Sequence, residues 1–341
     1  MRELWELRQM QSLPLAAKVR MTENRIREWV SEFGTSGVYV SFSGGKDSTV
    51  LLHIVRQMYP DIEAVFVNTG LEYPEIQSFV RTFENVTILR PKMRFDDVIR
   101  KYGYPILSKN ISRKISGARN GKEWAMKYVN GTACSTLGKK SFFCIEKYAP
   151  LLNADFNASD QCCAVMKKSP VKSYAKKTGK KPITAQMAVE SKLREAQWIN
   201  KGCNAFDTKN PMSNPMSFWT EQDVLQYIKE NNIPIASVYG DIVSRDNDGN
   251  EYSNELVSGG KLYTTGCART GCIFCAFGCH LEKGESRFQR LKRTHPRQYE
   301  YCIGGGEYDE DRIWKPSKQG LGMGHVFDEL NKIYGEGFIK Y

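Results

Sequence analysis

The chain has 341 residues, of which 41% are hydrophobic, enough to bury the core of one large α/β domain or of two smaller ones. Its formal net charge of +11 favours an anionic partner such as a nucleotide, a nucleic acid or an acidic carrier protein. No apolar run reaches the roughly 18 residues that span a bilayer, and the charged first residues do not resemble a secretory signal. The chain is therefore expected in the cytoplasm, away from membranes, with its ten cysteines as reduced thiols rather than disulfides.

Helix and strand patterns alternate near the start of the chain. Residues 1–34 have apolar side chains near helical spacing and are predicted to form a helical segment. The stretch VYVSFS, residues 38–43, predicts a strand that leads through a glycine turn into a helix over 47–58. A second strand, AVFV at 64–67, precedes a helix predicted over 75–83. This βαβ pattern predicts a parallel sheet.

The patterns are less regular further along. A basic, glycine-punctuated tract, LSKNISRKISGARNGKEW, occupies 107–124, and solvation explains it about as well as ligand binding does. A strand is predicted over 182–185 and a charged helix around ESKLRE at 190–195. The stretch TEQDVLQYIKEN predicts a helix with Thr220 as its N-cap.

These elements predict an α/β fold: a parallel twisted sheet with helices on both faces, plus a cysteine-rich C-terminal part. The predicted division is an N-terminal helical segment over 1–34, a nucleotide-binding α/β domain over 35–260 and a cysteine-rich region over 261–341. The glycine turn and the cysteines are the two features that indicate chemistry.

The glycine turn follows the first predicted strand directly. A strand, a glycine turn and a helix in succession point backbone N–H groups and the positive helix end at an anion. Neither the Walker spacing nor the dinucleotide glycine pattern is present. A lysine supplies charge to a phosphate, and an aspartate beside a polyanion favours a bound magnesium ion. The predicted nucleotide-binding residues here are Ser41, Ser43, Gly44, Gly45, Lys46, Asp47 and Ser48.

The turn and four later motifs resemble a known family. SGGKDS after an apolar strand resembles the pyrophosphatase-type loop of the adenine nucleotide alpha hydrolase superfamily, whose members split ATP between the α- and β-phosphates or bind adenylyl sulfates. The chain is also similar to the phosphoadenosine phosphosulfate (PAPS) reductase branch of that superfamily. That similarity rests on TGLEYPE at 69–75, CCAVMKKSP at 162–170, ESKLR at 190–194 and PMSFWTEQDVLQYI at 215–228.

The resemblance implies an adenine nucleotide as ligand, either ATP or an adenylyl sulfate (PAPS or APS). It implies Thr69 and Gly70 as further nucleotide contacts and Arg194 as a phosphate or sulfate contact. Lys46, Asp47 and Arg194 are then the expected catalytic residues. Lys46 would bind phosphate oxygens, Asp47 would bind Mg²⁺, and Arg194, with Lys167 or Lys168, would neutralise charge near the α-phosphate.

Six of the ten cysteines stand in two groups: Cys162 and Cys163, and then Cys267, Cys272, Cys275 and Cys279. Four thiolates from such a set hold either zinc or an iron–sulfur cluster. An adjacent pair favours a cluster, because a zinc ribbon takes two separated C-x-x-C pairs. In the adenylyl-sulfate reductases that the chain resembles, a C-C pair and a later G-C-x-x-C bind a 4Fe–4S cluster. This implies Cys162, Cys163, Cys272 and Cys275 as ligands; zinc, inert buried thiols and a ligand exchange with Cys267 or Cys279 remain alternatives.

Two features differ from the reductases of that branch. Their E-C-G-[LI]-H motif, whose cysteine attacks the sulfate, does not occur in this sequence, and Cys302 in EYCIGGGE is the nearest candidate. Reductases have commonly lost the lysine and aspartate of SGGKDS, whereas this chain has Lys46 and Asp47. Both differences favour an ATP pyrophosphatase.

The chain in this respect resembles the sulfur-inserting members of the superfamily, which are tRNA thiolation enzymes and DNA phosphorothioation sulfurtransferases. The resemblance implies adenylation of a substrate for iron–sulfur-supported sulfur transfer, with a nucleic acid (tRNA or DNA) or a sulfur-donor protein as partner. One alternative is a true sulfonucleotide reductase that releases sulfite, with Cys302 or another internal thiol as nucleophile. The other is a non-catalytic nucleotide or nucleic-acid binding module.

Overall fold

The computed structural model describes residues 2–246, 251–252 and 260–341. Its residues divide into two compact units that interleave along the chain. Unit 1 comprises Met1–Asn68, Glu72–Arg90 and Val171–Thr270, and unit 2 comprises Thr69–Leu71, Pro91–Pro170 and Gly271–Tyr341. The units are therefore not consecutive segments, unlike the three parts into which the sequence analysis divided the chain.

Helices and short strands alternate through the described residues. The α-helices are α1 (Leu4–Ser12), α2 (Leu15–Phe33), α3 (Lys46–Met58), α4 (Pro74–Val80), α5 (Phe95–Tyr102), α6 (Lys109–Arg119), α7 (Glu123–Val129), α8 (Ser169–Thr178), α9 (Lys192–Lys201), α10 (Glu221–Glu230), α11 (Arg287–Thr294), α12 (Pro296–Ile303) and α13 (Met323–Tyr334). The strands are β1 (Val38–Ser41), β2 (Ala64–Val67), β3 (Val86–Leu89), β4 (Ile106–Leu107), β5 (Lys181–Ile183), β6 (Asn204–Ala205), β7 (Met212–Ser213), β8 (Ile242–Arg245), β9 (Glu251–Tyr252), β10 (Lys261–Thr264), β11 (Ala276–Phe277), β12 (Glu307–Tyr308) and β13 (Trp314–Lys315). None of these helices is both long and apolar enough to cross a bilayer.

Unit 1 is built around a six-stranded sheet with the strand order β3-β2-β1-β5-β7-β6. All neighbouring strands are parallel except β6, which pairs antiparallel with β7. The predicted α/β fold, with a mostly parallel sheet flanked by helices, is thus confirmed, and the antiparallel edge strand was not predicted. β1 lies inside the sheet, where Val40 is opposite both Ala64 and Ile183. Its first three residues are buried, which explains why the strand reads as a continuous apolar run.

The strand order creates a crevice beside β1. From β1 the chain continues to β2 and β3 on one side of the sheet, and it later returns to place β5 on the other side. Connections that leave two neighbouring parallel strands in opposite directions open a space at the carboxyl ends of those strands, where open α/β sheets bind ligands. The SGGKDS turn lies at the end of β1, so the fold places it at this position.

Local sequence signals set several of the helix ends. The side chain of Thr220 accepts a hydrogen bond from the backbone N–H of Asp223, and the carboxylate of Asp223 accepts one from the backbone N–H of Thr220 at 2.6 Å. This capping box begins α10 where the sequence predicted it. Ser191 caps α9 in the same way, by accepting from the backbone N–H of Arg194. Ile26 and Trp29 of α2 are fully buried, as the helical spacing in residues 1–34 predicted.

Unit 2 contains two small sheets and a cluster of aromatic side chains. β4 pairs parallel with β11, and β12 pairs antiparallel with β13. The rings of Phe288 and Phe327 lie 4.8 Å apart, and those of Tyr104 and Phe156 lie 6.1 Å apart. These four side chains are buried. Large rings that lose most of their water-exposed surface supply much of the hydrophobic free energy of such a core.

Candidate nucleotide cleft and cysteine cavity

The turn between β1 and α3 presents a helix N-terminus to the crevice of unit 1. Gly45 is the N-cap of α3, and its carbonyl accepts hydrogen bonds from the backbone N–H and the hydroxyl of Thr49, both at 3.0 Å. The Ser43 and Ser48 hydroxyls lie 3.0 Å apart, and the Ser48 hydroxyl accepts from the backbone N–H of Ser43 at 3.1 Å. The serines therefore hold the turn in shape and keep hydroxyl groups at the end of the helix.

Gly44 is needed for the shape of this turn. Its φ of +71° lies in the left-handed region that disfavours side chains. A Cβ added at this position would lie 2.7 Å from Cγ2 of Val80 and 2.9 Å from Cγ2 of Ile76. Both conditions require glycine here.

Gly44→Ala is expected to lower the free energy of unfolding by about 1–3 kcal/mol, because it combines an unfavourable φ with two close contacts. Urea denaturation of the wild-type and variant proteins measures the difference. Gly271→Ala is the matched control, since a Cβ at Gly271 meets no heavy atom within 4 Å. Equal losses in the two variants would show that the turn geometry is not the cause.

Lys46 is the first residue of α3, and its side chain is almost fully buried. Its ammonium group donates to the carboxylate of Glu221 at 2.7 Å and to the carbonyl of Ala268 at 2.5 Å. The same group lies 5.5 Å from the ring centre of Tyr239. The lysine is thus held at the cleft by residues more than 170 positions away in the chain.

A cleft of about 370 Å³ opens at the carboxyl ends of β1 and β5. Residues 184–186, which follow β5, line it together with the turn after β1. Two guanidinium groups, of Arg194 and Arg269, also line it, and both form ion pairs with Glu190. Burial, together with the neighbouring charge of Arg269, lowers the pKa of Arg194. Two adjacent cations that share one carboxylate are arranged to accept further negative charge.

Asp47 is the one acidic side chain of the SGGKDS turn and also lines the cleft. Its Oδ1 is buried and has no hydrogen-bond partner among the described residues. Burial raises the pKa of this carboxyl, although the charges of Lys46 and Arg269 counteract the effect. A buried carboxylate oxygen without a partner is suited to bind a metal ion. The ion would replace the interactions with water that the oxygen loses on burial.

Asp47→Asn is expected to raise the free energy of unfolding at neutral pH, because it removes the cost of burying an unpaired carboxylate. A raised pKa in the folded state makes that cost fully present above the folded-state pKa. The cost disappears below the unfolded-state value of about 3.9, where both states are protonated. Urea denaturation from pH 7 down to about pH 4 tests this, with Asp61→Asn at an exposed position as control. A difference from wild type that does not change with pH would contradict it.

The structure brings together most of the predicted nucleotide residues and adds others. Lys46, Asp47 and Arg194 line one cleft, together with Ser41, Ser43, Gly45 and Ser48. Thr69 and Gly70 belong to unit 2 and do not line this cleft, and Lys167 also lies in unit 2. The sequence analysis missed Arg269, Thr270 and Gln186. The only available signal was the position of Arg269 and Thr270 between Cys267 and Cys272, where the interpretation considered only the cysteines.

The four predicted cluster cysteines line one cavity in unit 2. Cys162, Cys163, Cys272 and Cys275 surround it together with Leu71, Phe95, Pro105, Met166 and Lys167. The Sγ atoms of Cys162 and Cys163 lie 4.0 Å apart. Both residues immediately precede a π-helical turn, Ala164–Lys168, which continues into α8. Within the described parts of the chain, no group of three or more Cys, His, Asp or Glu side chains is already arranged to hold a metal ion.

The surroundings of the thiol pair favour the ionised form of Cys163. A hydrogen bond from Cys162, with the nearby charges of Lys109 and Lys167, lowers the pKa of Cys163 to about 5. The same hydrogen bond and burial raise the pKa of Cys162. Burial also raises the pKa of Cys275. A thiolate beside lysines is the ionisation state in which cysteine binds metals.

The other cysteines named in the sequence analysis lie elsewhere. Cys267 is buried in unit 1, and Cys279 is buried in unit 2, where its thiol lies 3.0 Å from the carbonyl of Ala276. Neither lines the cysteine cavity. Cys302 is fully buried, its Sγ lies 3.5 Å from Sδ of Met323, and burial raises its pKa. A buried neutral thiol does not fit the role of attacking nucleophile that the reductase alternative gave to Cys302.

Comparison with known sequences identifies the family of the chain. The sequence model of the phosphoadenosine phosphosulfate reductase domain matches residues 37–105 and 144–277 of the chain. The chain belongs to this family. The matched ranges contain the SGGKDS turn, Arg194 and all four cysteines of the cavity. The family assignment predicted from the motifs is therefore confirmed.

Relatives of the chain include both uncharacterised proteins and reductases. It is 31% identical over 304 residues to an uncharacterised protein of Methanocaldococcus jannaschii. This alignment covers 87% of this chain but only 54% of the archaeal protein. It is 23% identical over 220 residues to an adenosine 5′-phosphosulfate reductase of Staphylococcus epidermidis, covering 63% of this chain and 70% of that one. The chain thus spans about half the length of the archaeal relative. Among solved structures, a PAPS reductase of Candida auris in complex with phosphate aligns at a TM-score of 0.38 with 15% identity, over 63% of this chain and 82% of that one.

Proposed function

We propose that the chain is an ATP pyrophosphatase that adenylates a substrate for iron–sulfur-supported sulfur transfer. The observation that carries the proposal is the placement of Lys46, Asp47, Arg194 and Arg269 around one cleft. Three cations suit a polyphosphate, and the carboxylate among them suits a divalent ion bound to that polyphosphate. A sulfonucleotide without a metal would give this carboxylate no function.

The reaction has two bond exchanges. A nucleophile of the acceptor attacks the α-phosphorus of ATP, the bond between the α- and β-phosphates breaks, and pyrophosphate leaves. A sulfide-level nucleophile from the sulfur donor then attacks the activated atom of the acceptor, the bond from that atom to the adenylate oxygen breaks, and AMP leaves. Positive groups already in place at the leaving phosphates stabilise the charge that develops there. Lys46 would exchange Glu221 for phosphate oxygens, and Arg194 and Arg269 would exchange Glu190 for them.

Two inorganic groups belong to this proposal. Asp47 would hold Mg²⁺ through its buried, unpartnered oxygen, and the ion would offset the charge of the phosphates. Cys162, Cys163, Cys272 and Cys275 would hold a 4Fe–4S cluster, whose iron supplies a thiophilic site for sulfur. The free volume among these thiols is about 20 Å³, so their side chains would rotate outward to admit a cluster. The proposed acceptor is a nucleic acid, and a sulfur-donor protein is the second partner.

The reductase relatives favour a second candidate function, the release of sulfite from APS or PAPS. That reaction needs an accessible thiol to attack the sulfate. Since Cys302 is fully buried, a different thiol would have to attack. The cleft with its three cations would accept a sulfonucleotide as well as ATP.

The deciding experiment compares the two products. Protein purified without oxygen is incubated with ATP, Mg²⁺ and a nucleic-acid acceptor, either tRNA or DNA. It is incubated separately with APS or PAPS and a thiol reductant. We expect release of pyrophosphate from ATP and no sulfite. Sulfite without ATP turnover would contradict the proposal and support the reductase. Binding of ATP without any product would support a non-catalytic binding module instead.

A further inference from the structure

A basic segment of unit 2 lies between the two stretches that match the family. Residues 106–143 separate the matched ranges 37–105 and 144–277. They contain eight Lys and Arg residues and one Glu, a net charge of +7 out of +11 for the whole chain. The segment includes α6, α7 and the loop that follows α7. Its charge is thus a property of this chain that the family domain does not explain.

Most of these cations face the solvent. Lys114 is buried, and its ammonium group donates to the backbone carbonyl of Phe143 at 2.5 Å. Arg119 donates to backbone carbonyls of residues 154 and 156. The other six are exposed: Lys109, Arg113, Lys122, Lys127, Lys139 and Lys140. Lys114 thus bonds within the segment and Arg119 ties it to residues 154 and 156, whereas six cations remain on its surface.

Aromatic rings lie among these cations and form a connected series. The guanidinium of Arg113 lies 5.3 Å from the ring centre of Trp124, and that ring lies 6.5 Å from the ring of Tyr128. The ammonium group of Lys114 lies 4.1 Å from the ring centre of Tyr128 and 5.7 Å from that of Phe143. The loop after α7 is thereby joined to both helices.

Two rings at the end of the series are unusually exposed. Phe142 is 95% exposed and Phe143 is 61% exposed, and their ring centres lie 5.9 Å apart. The loop that carries them is ordered by backbone hydrogen bonds from Ser141 to Ala133 and from Ser135 to Lys139, each at 2.7 Å. Exposed phenylalanines cost solvation free energy, so adjacent ones on an ordered loop indicate a partner.

We propose that residues 106–143 form a binding surface for single-stranded nucleic acid. Exposed cations bind the phosphates of a strand, and exposed rings stack on its unpaired bases. A membrane surface fits less well, because an interfacial helix presents a continuous apolar face. Here Ile115 of α6 and Val129 of α7 are buried, and the exposed apolar side chains of α7 are only Trp124 and Met126, which do not form a continuous face. The exposed rings stand singly or in a pair between cations.

The surface begins next to the cysteine cavity. Lys109 is the first residue of α6, and it hydrogen-bonds to Cys163, one of the thiols that line the cavity. A strand that follows the exposed cations of α6 toward its N-terminus would reach the thiols of the same unit. This placement extends the proposed function, because it makes the acceptor a single-stranded segment of nucleic acid. Binding of a strand to the surface does not itself require ATP turnover.

Fluorescence anisotropy tests the proposal with the full chain, without ATP. The probes are labelled mixed-sequence DNA and RNA strands of about 20 nucleotides, longer than site sizes of about 4–16 nucleotides. We expect Phe142→Ala/Phe143→Ala to raise Kd at least about tenfold through lost stacking. We expect Lys122→Ala/Lys139→Ala to reduce the slope of log Kd against log salt by about 1.4, from two lost phosphate contacts.

Matched substitutions in unit 1 serve as controls. Trp5→Ala removes another exposed ring, and Lys176→Ala/Lys177→Ala removes two exposed lysines of α8. The proposal requires both controls to bind as the wild type does. It is overturned if the wild type does not bind the strands, if all variants bind equally, or if a duplex of equal length binds more tightly. Binding to phosphatidylserine vesicles without binding to the strands would also overturn it, in favour of a membrane surface.

Discussion

Lys46→Ala is expected to lower the rate of pyrophosphate release from ATP by about 10²- to 10³-fold, the usual effect of removing one preorganised group that stabilises developing charge. Lys46 is the cation at the N-terminus of α3, and it is already held at the cleft by Glu221 and by the carbonyl of Ala268. Because its buried ammonium group is already positioned at the cleft, Lys46 needs only to exchange the half-exposed Glu221 for phosphate oxygens. Measurement of kcat and KM for ATP separates this effect from weaker binding of ATP, which would raise KM alone.

The stability of this variant separates catalysis from folding. The Glu221 carboxylate is half exposed, but the buried carboxyl of Asp47 loses a neighbouring positive charge and the carbonyl of Ala268 loses its donor. The midpoint of urea unfolding is therefore expected to fall, and kcat is measured under conditions in which the variant is fully folded. Lys176→Ala, an exposed lysine of α8, is the control for the loss of one positive charge. If Lys46→Ala retains the wild-type rate, Lys46 does not act on the phosphates and the pyrophosphatase proposal loses its main support.

Cys163→Ala is expected to abolish the iron–sulfur absorbance of protein reconstituted without oxygen. Cys163 is the member of the thiol pair whose pKa is lowered to about 5, by the hydrogen bond from Cys162 and the charge of Lys109. Loss of one of four thiolate ligands removes the enclosure that a cluster needs. Alanine is used because serine would offer another oxygen ligand. Absorbance, iron and acid-labile sulfide are measured on the same sample.

Two other cysteines provide controls for this experiment. Cys134 is exposed and Cys302 is fully buried, and neither lines the cavity. Cys134→Ala and Cys302→Ala are therefore expected to retain the cluster. Retention of iron and sulfide in Cys163→Ala would remove Cys163 from the ligand set. If the wild-type protein takes up zinc but neither iron nor sulfide, the cavity binds zinc rather than a cluster.

Local patterns in the sequence predicted the elements that depend on neighbouring residues. The apolar run before SGGKDS predicted β1, and Thr220 predicted the start of α10. Periodicity, turns and caps depend on a few neighbouring residues, so they can be recognised without knowledge of the fold. The prediction of strand 182–185 was close as well, since β5 is Lys181–Ile183.

Contacts between distant segments could not be predicted in the same way. Arg269 joins the cleft because it pairs with Glu190, 79 positions earlier in the chain. Lys46 forms a hydrogen bond with Glu221, which lies 175 positions later in the chain. No local pattern encodes such partners, because they depend on which strands become neighbours in the sheet. The antiparallel pairing of β6 with β7 was missed for a different reason, because each of these strands has only two residues, too few for an alternating pattern.

By itself the sequence determined the family and the α/β class, and it predicted two sites, a phosphate-binding turn and a set of thiols. These follow from residue types and short spacings that can be recognised along the chain. Only the tertiary structure decided which groups meet. It placed β5 beside β1 so that Arg194 and Arg269 face Asp47 across the cleft, and it buried Cys302 while bringing Cys162 and Cys163 to one cavity with Cys272 and Cys275. Burial and proximity are properties of the packed chain, because a side chain loses its water only when remote segments cover it.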